Sequence, residues 1–339
     1  MQAKTINKNC AKKMDNLLKS LPKKLAEKVK PNIIITGGAI VSMLQGDPIN
    51  DWDIYIKDRN VLKDLVEYYL NKFNKSPNRK GKTPYTLFCK ENATENDYNR
   101  NDYYSYLLET DNDRLYVEIP SSGIVAECDK KAINAMDSED KTTHNSGLSE
   151  LDVEKFPEKT KEQRQYKKEM KDYIKTKYRP IFLTGNALTL SHKVQLIVRF
   201  FGTPEEIHKN FDFRAVKSYW TYETGLKTNV DILLDINSKK LVYEGSRYPI
   251  CSLIRTRKYV SRQWKISAGE FVKMAFQVGD LDLKNIDVLK DQLVGVDSTY
   301  FTWMINIIEK DLKNAHKNGT EFDIDSDYIC NVIDFVFNR

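Results

Sequence analysis

The stretch IIITGGAIVSMLQGDPINDWDIYI occupies residues 33–56. Ile33, Ile34, Ile35 and Thr36 form a β-branched run cut off by Gly37-Gly38, the pattern of a buried strand ending in a turn. Glycine there lets the backbone bend sharply and come close to a ligand. Ala39 to Gln45 puts Ile40, Val41 and Leu44 on one helical face, and Gly46 is a natural stop. The start of that helix offers unpaired N–H groups and the positive end of a dipole, which suit a phosphate. Asp51 and Asp53 lie two residues apart in an extended segment, so their side chains are expected to share a face. Adjacent carboxylates repel unless a cation or proton neutralises them. With a phosphate seat nearby, Mg2+ (or Mn2+) is the expected neutraliser.

Gly37-Gly38 followed by Asp51-x-Asp53 in this apolar setting resembles the signature of the DNA polymerase beta-type nucleotidyltransferase superfamily. That signature is a strand, a glycine pair, a short helix, and Asp-x-Asp on the next strand. The bland reading of the same residues is a structural Gly-Gly turn and a polar strand start. The resemblance implies an α/β (α+β) fold with a mixed sheet and flanking helices. It also implies a third acid on a later core strand. The matching segment is Val194-Gln195-Leu196-Ile197, so Gln195 stands where an acid is expected, and a neutral amide is a poor Mg2+ ligand beside carboxylates. Asp212, before Phe213, and Glu118, in Leu115–Ile119, are the available substitutes; Asp212 is preferred, and an acid at a strand edge is the ordinary reading of each. Residues 180–213 and 246–264 look similar to uncharacterised nucleotidyltransferase-like proteins of phages and large viruses, so the resemblance reaches about half of the chain.

Outward from this centre, residues 9–29 carry Met14, Leu17, Leu18, Leu21, Leu25 and Val29 among lysines, with Pro22 as an interruption. That predicts one or two amphipathic helices with a solvated basic face. Val61–Phe73 predicts another amphipathic helix. Short strands are expected at 85–89, 115–119 and 123–126, a long polar loop over 127–161, and a surface helix over 158–177. The region from about 75 to 178 thus looks like a charged insertion. Antiparallel strands follow over 180–200. Thr203-Pro204-Glu205-Glu206 is a helix start, and 211–222 and 241–243 look extended. From Ser246 on, the pattern is helical. The expected organisation is an N-terminal helical segment, 1–30; a core, 31–245, holding the insertion; and a helical C-terminal module, 246–339.

Composition sets the outer bounds. The chain has 339 residues, 54 Lys+Arg against 48 Asp+Glu, and a net charge of +6, which permits a nucleic-acid partner without demanding one. Its five cysteines are scattered, without metal-type pairing, so reduced thiols in a cytosol-like compartment are expected. That means the host cytoplasm if the chain is phage- or virus-encoded. No apolar run reaches membrane-spanning length, and the Lys-rich N-terminus lacks a signal-peptide core.

The Arg255, Lys258, Arg262 series recurs at three- and four-residue steps. It is the candidate wall for a triphosphate or an acceptor backbone, with a solvated helix face as the plain alternative. Ser42, one turn into the glycine-started helix, is a candidate phosphate contact or a hydroxyl bonded to its own backbone. The resemblance implies a metal-dependent nucleotidyltransferase. Asp51, Asp53 and Asp212 would hold the metal; Gly37, Gly38, Ser42, Arg255, Lys258 and Arg262 would hold an NTP. The acceptor hydroxyl would most naturally belong to RNA, such as a tRNA 3′ end, or else to a protein or small molecule. The Gln195 departure raises a third reading, a non-catalytic binding or assembly protein of the same fold.

Overall fold

The computed structural model describes residues 2–92, 106–107, 111, 113–118, 160–293 and 299–337. The chain divides into two compact units. The first comprises Met1–Phe88, Leu115–Pro204 and Tyr219–Lys227; the second comprises Cys89–Arg114, Glu205–Ser218 and Thr228–Arg339. The α/β class expected from the sequence is present.

The first unit is built on one seven-stranded mixed sheet. In chain order its strands are β1 (Ile33–Thr36), β2 (Trp52–Ile56), β5 (Pro180–Leu183), β6 (Ala187–Leu190), β7 (Val194–Ile197), β8 (Tyr219–Thr221) and β9 (Gly225–Lys227). Their spatial order is β5-β6-β7-β2-β1-β8-β9. β2 and β7 run parallel, and every other pair is antiparallel. The register pairs Ile35 with Ile54 and Ile54 with Leu196. Because side chains alternate across a strand, one face collects Ile33, Ile35, Trp52, Ile54, Ile56, Val194, Leu196 and Trp220, all buried. Ile34, Thr36 and Tyr55 on the other face are buried as well, so these central strands are covered on both sides, a setting that favours β-branched and aromatic residues.

Helices complete the layer. α1 (Ala3–Leu18) buries Ile6, Cys10, Met14, Leu17 and Leu18, a stripe at helical spacing. α2 (Lys23–Val29) follows the break at Pro22. α3 (Gly38–Gln45) packs on β1 and β2. α4 (Arg59–Asn74) is capped by the Asp58 carboxylate, which accepts from the backbone N–H of Asn60 and Val61. It packs on β2 and β5. β3 (Thr86–Phe88) and β4 (Tyr116–Glu118) pair with each other as a separate ribbon. α5 (Lys161–Lys175) opens with a full capping box at Thr160 and Gln163.

The second unit is mainly helical. It contains α6 (Pro204–His208), α7 (Val230–Ser238), α8 (Pro249–Ser261), α9 (Ala268–Gly279), α10 (Ile286–Leu293), α11 (Thr299–Asn318) and α12 (Ser326–Phe337). A two-residue parallel pair joins β10 (Lys240–Leu241) to β11 (Lys265–Ile266). Its core includes a chain of edge-to-face rings, Tyr243–Phe213–Tyr259–Trp264, with centroids 5.9, 5.3 and 5.4 Å apart.

Three local expectations need correction. Residues 211–222 are not one extended stretch. Phe213 makes an isolated bridge to Tyr243, Arg214–Val216 form a turn of 3-10 helix, and only Tyr219–Thr221 is strand. The expected strand at Leu241–Tyr243 is reduced to Lys240–Leu241 plus that bridge. The helix capped by Asn229, α7, has no counterpart among the expected elements, although Asn before Val230, Ile232, Leu233 and Ile236 is its signal. The expected strand at 123–126 and most of the polar loop after it lie outside the described residues. Among the described residues, no helix is long and apolar enough to cross a membrane.

Candidate functional site

β1 ends on Gly37, whose φ of 84° and ψ of −150° belong to a region open essentially to glycine alone. A Cβ there would lie 3.3 Å from Oδ2 of Asp53. The glycine corner therefore holds the Asp53 carboxylate against the start of α3, where the helix dipole favours a negative charge. Gly38 is exposed, and a Cβ built on it meets nothing within 4 Å.

Asp53 is also fixed across the sheet. It pairs with Gln195 on β7, and Gln195 pairs with Thr189 on β6. Continuing the β1–β2 register places Thr36 opposite Asp53, and Thr36 pairs with Tyr219 on β8. Thr189, Gln195, Asp53, Thr36 and Tyr219 thus form a polar row across five strands, on the face opposite the apolar one. Gln195 supplies an amide directly beside the carboxylate.

Asp51 lies ahead of β2 and is exposed. Its neighbour Trp52 donates its backbone N–H to the carbonyl of Lys193, at 2.9 Å. Asp51 acts on Lys13, a residue of α1 whose lysines are expected on a solvated face. The Lys13 ammonium donates to the carbonyl of His192. It lies 5.6 Å from the ring centroid of Trp52 and 5.8 Å from that of Tyr178. Burial, with Lys193 adding to it, lowers the Lys13 pKa to about 8; Asp51 opposes that shift. Burial, followed by Lys13, Lys177 and Arg179, likewise lowers the pKa of His192. His192 and Lys193 both adopt positive φ, 67° and 56°, and Lys193 Nζ donates to Ile49 O at 3.2 Å. Positive charge gathered at this end of the sheet is invisible to local pattern, because Lys13 and His192 are 179 residues apart.

Asp212 is buried in the second unit and is not on a strand. Its Oδ1 accepts from the backbone N–H of Phe213 at 2.9 Å, and its Oδ2 accepts from Arg255 Nη1. Asp212 and Arg255 are therefore partners of each other. The expected cationic series on α8 splits: Arg255 turns inward, while Lys258 and Arg262 are exposed. Glu118 accepts from Thr86 Oγ1 at 2.7 Å within the β3–β4 ribbon. The carbonyl of Ser42 takes the N–H groups of Gly46 and Asp47 that close α3. Trp220 and Trp264 are core; the Trp303 side chain lies outside the described residues.

Among the described residues, no three acidic, histidine or cysteine side chains converge as a metal cage. Gln195 puts a neutral amide beside Asp53, where the resemblance implied a third acid.

Residues 8–239 match the family model described as Gabija anti-defense 2 family protein, a span that includes all seven strands of the main sheet. The chain belongs to the Gabija anti-defense 2 family. A relative named Gabija anti-defense 2, from Bacillus phage SPbetaL7, is 29% identical over 153 residues, covering 43% of this chain and 38% of the relative. The chain thus spans well under half of that relative's length.

These matches overturn the assignment to the DNA polymerase beta-type nucleotidyltransferases. Both are described by anti-defence, and neither description names nucleotidyl transfer. The reading as a metal-dependent enzyme adding nucleotides to RNA falls with that assignment, and so does nucleotidylation of a protein or small molecule. The phage connection expected from the sequence stands, since the relative is phage-encoded.

Proposed function

We propose that this chain counters a bacterial defence of the Gabija type by binding one of its components in the host cytoplasm, without catalysing a reaction. The family match over residues 8–239 carries this reading. The site chemistry agrees with it. Gln195 leaves the Asp-x-Asp pair without a third acid, and Asp212 is engaged by Arg255. NTP and Mg2+ or Mn2+ enter no step.

The polar end of the main sheet, with Gly38, Asp51, Lys13 and Lys193, is the proposed contact surface. It combines both signs of charge on a rigid scaffold, which favours register and selectivity in a protein interface. The test has two arms. The chain is expressed in a Gabija-bearing bacterium challenged with a phage that the defence stops, and plaques are counted. The tagged chain is then purified from the same cells, and co-purifying Gabija components are measured. Restored plaques together with a stable complex are expected. An Asp51→Arg/Lys193→Glu variant, still folded by circular dichroism, should lose both. Protection that persists without any association would sink the binding reading.

A further inference from the structure

The second unit carries a concentrated positive surface that the proposed docking of a defence component does not use. Between Gly245 and Gly269 the sequence holds Arg247, Arg255, Arg257, Lys258, Arg262 and Lys265, with no Asp or Glu. Arg255 is neutralised by Asp212. The fold gathers several of the others. α8 is followed by Arg262, whose carbonyl accepts from Lys239 Nζ at 3.3 Å. The backbone N–H of Lys265 donates to Lys239 O at 2.7 Å. β10 and β11 then pair Lys240 directly with Lys265.

Neighbouring strands lie about 4.8 Å apart, so two ammonium stems are held side by side. Lys240, Arg262 and Lys265 are exposed, and among the described residues none of the three is paired with a carboxylate. The acids nearby in sequence are engaged elsewhere: Asp235 by Arg214, Glu244 by Lys217, and Glu270 by Lys273 and the backbone N–H of Tyr243. The turns that present these cations are held in left-handed conformations at Lys239 and Gln263, with φ of 50° and 64°. Adopting such φ without glycine has a cost, so the cations sit on a fixed frame rather than on a frayed end.

We infer that Lys240, Arg262 and Lys265, with Lys239 and Lys258 beside them, form a docking surface for the phosphate backbone of duplex nucleic acid. A run of like charge with no acid between calls for a polyanion. The segment that carries most of these cations, Gly245 to Gly269, is poor in the exposed aromatic side chains that a peptide or a single strand uses. Protein hot spots centre on exposed aromatic anchors, and single strands stack their bases on aromatic faces. Between Gly245 and Gly269, Trp264 is buried and Tyr259 packs edge-on against it, leaving Val260 as the large apolar side chain exposed in that segment; the exposed Phe271 and Phe276 lie beyond it on α9. A backbone-reading surface binds through charge and without sequence preference.

The test is fluorescence anisotropy of the full chain with labelled 30-base-pair DNA and RNA duplexes of random sequence, from 50 to 200 mM salt. Wild-type protein is expected to bind, with affinity falling steeply as salt rises. A Lys240→Gln/Arg262→Gln/Lys265→Gln variant should bind at least about tenfold more weakly at 50 mM salt. The slope of log K against log salt should become shallower by about 0.9 for each phosphate that the variant no longer neutralises. Binding of the DNA duplex, the RNA duplex or both supports the surface, and the two arms identify the source. A Lys12→Gln/Lys19→Gln variant, on α1 and just after it, both exposed, should bind as wild type does. If the triple variant does not fold, the three single variants replace it, each costing a few-fold. Three results overturn the inference: no duplex binding by the wild type at 50 mM salt, undiminished binding by the variants, or capture of polyglutamate in preference to duplex.

Discussion

A Cβ on Gly185 would stand 2.1 Å from Cε2 of Tyr116, a fully buried ring. Gly185 accepts from the N–H of Val117 at 2.9 Å, so the β3–β4 ribbon presses directly on the turn between β5 and β6. Gly37 is required for a different reason, its positive φ. Gly185→Ala should cost more than about 2 kcal/mol, because neither the ring nor the backbone can withdraw, and Gly37→Ala about 1–3 kcal/mol through backbone strain. Urea unfolding of the two variants measures both. A Gly185→Ala midpoint equal to that of the wild type would show the ring free to move. The requirement at Gly37 is legible in the sequence, since a glycine pair ends a β-branched run. The requirement at Gly185 is not, because the atom it must avoid belongs to a residue 69 positions away.

At the scale of elements, α6 shows burial overriding a helix dipole. His208 is its last residue, where the dipole would favour a protonated ring. Burial, with Lys217 adding to it and Glu205 opposing, lowers its pKa to about 4. The sign follows from linkage. Between about pH 6.5, the unfolded value, and pH 4, the unfolded chain binds the proton that the folded chain refuses. Stability should therefore fall as pH drops through that window, by at most about 3 kcal/mol from this group. His208→Gln should flatten that part of the stability–pH curve, read by chemical denaturation at half-unit steps. A variant curve parallel to the wild type would exclude His208 as the cause. The helix start at Thr203-Pro204 is readable from its cap and acids; the burial of its last residue depends on what packs over it.

Over the whole molecule, the pair Arg114–Asp291 shows how distant chain is tied together. Arg114 Nη1 donates to Asp291 Oδ1 at 2.9 Å, with side-chain exposures of 1% and 6%. Asp291→Asn would remove the carboxylate that pairs with a buried guanidinium and should cost about 3–5 kcal/mol. Arg114→Met/Asp291→Leu should cost far less, since an apolar pair carries no desolvation penalty. Thermal unfolding of both variants decides it, and equal losses would mean that packing, not charge, holds the site.

By itself the sequence determined the elements at the centre of the main sheet. The run Ile33–Thr36, the glycine pair, the short helix and the strand from Trp52 appear where local periodicity places them, because strand and helix periods and glycine stops are properties of neighbouring residues. The charge-dense helices near the N-terminus and over 158–177, and the helix start at Thr203-Pro204, were legible for the same reason. Only the tertiary structure decided which side chains meet: Asp53 with Gly37 and Gln195, Lys13 with His192, Asp212 with Arg255, and Lys240 with Lys265. Those meetings depend on strand order, register and long-range packing. The apparent Asp-x-Asp signature was therefore readable as a pattern, while the company its carboxylates keep was set by parts of the chain far from it.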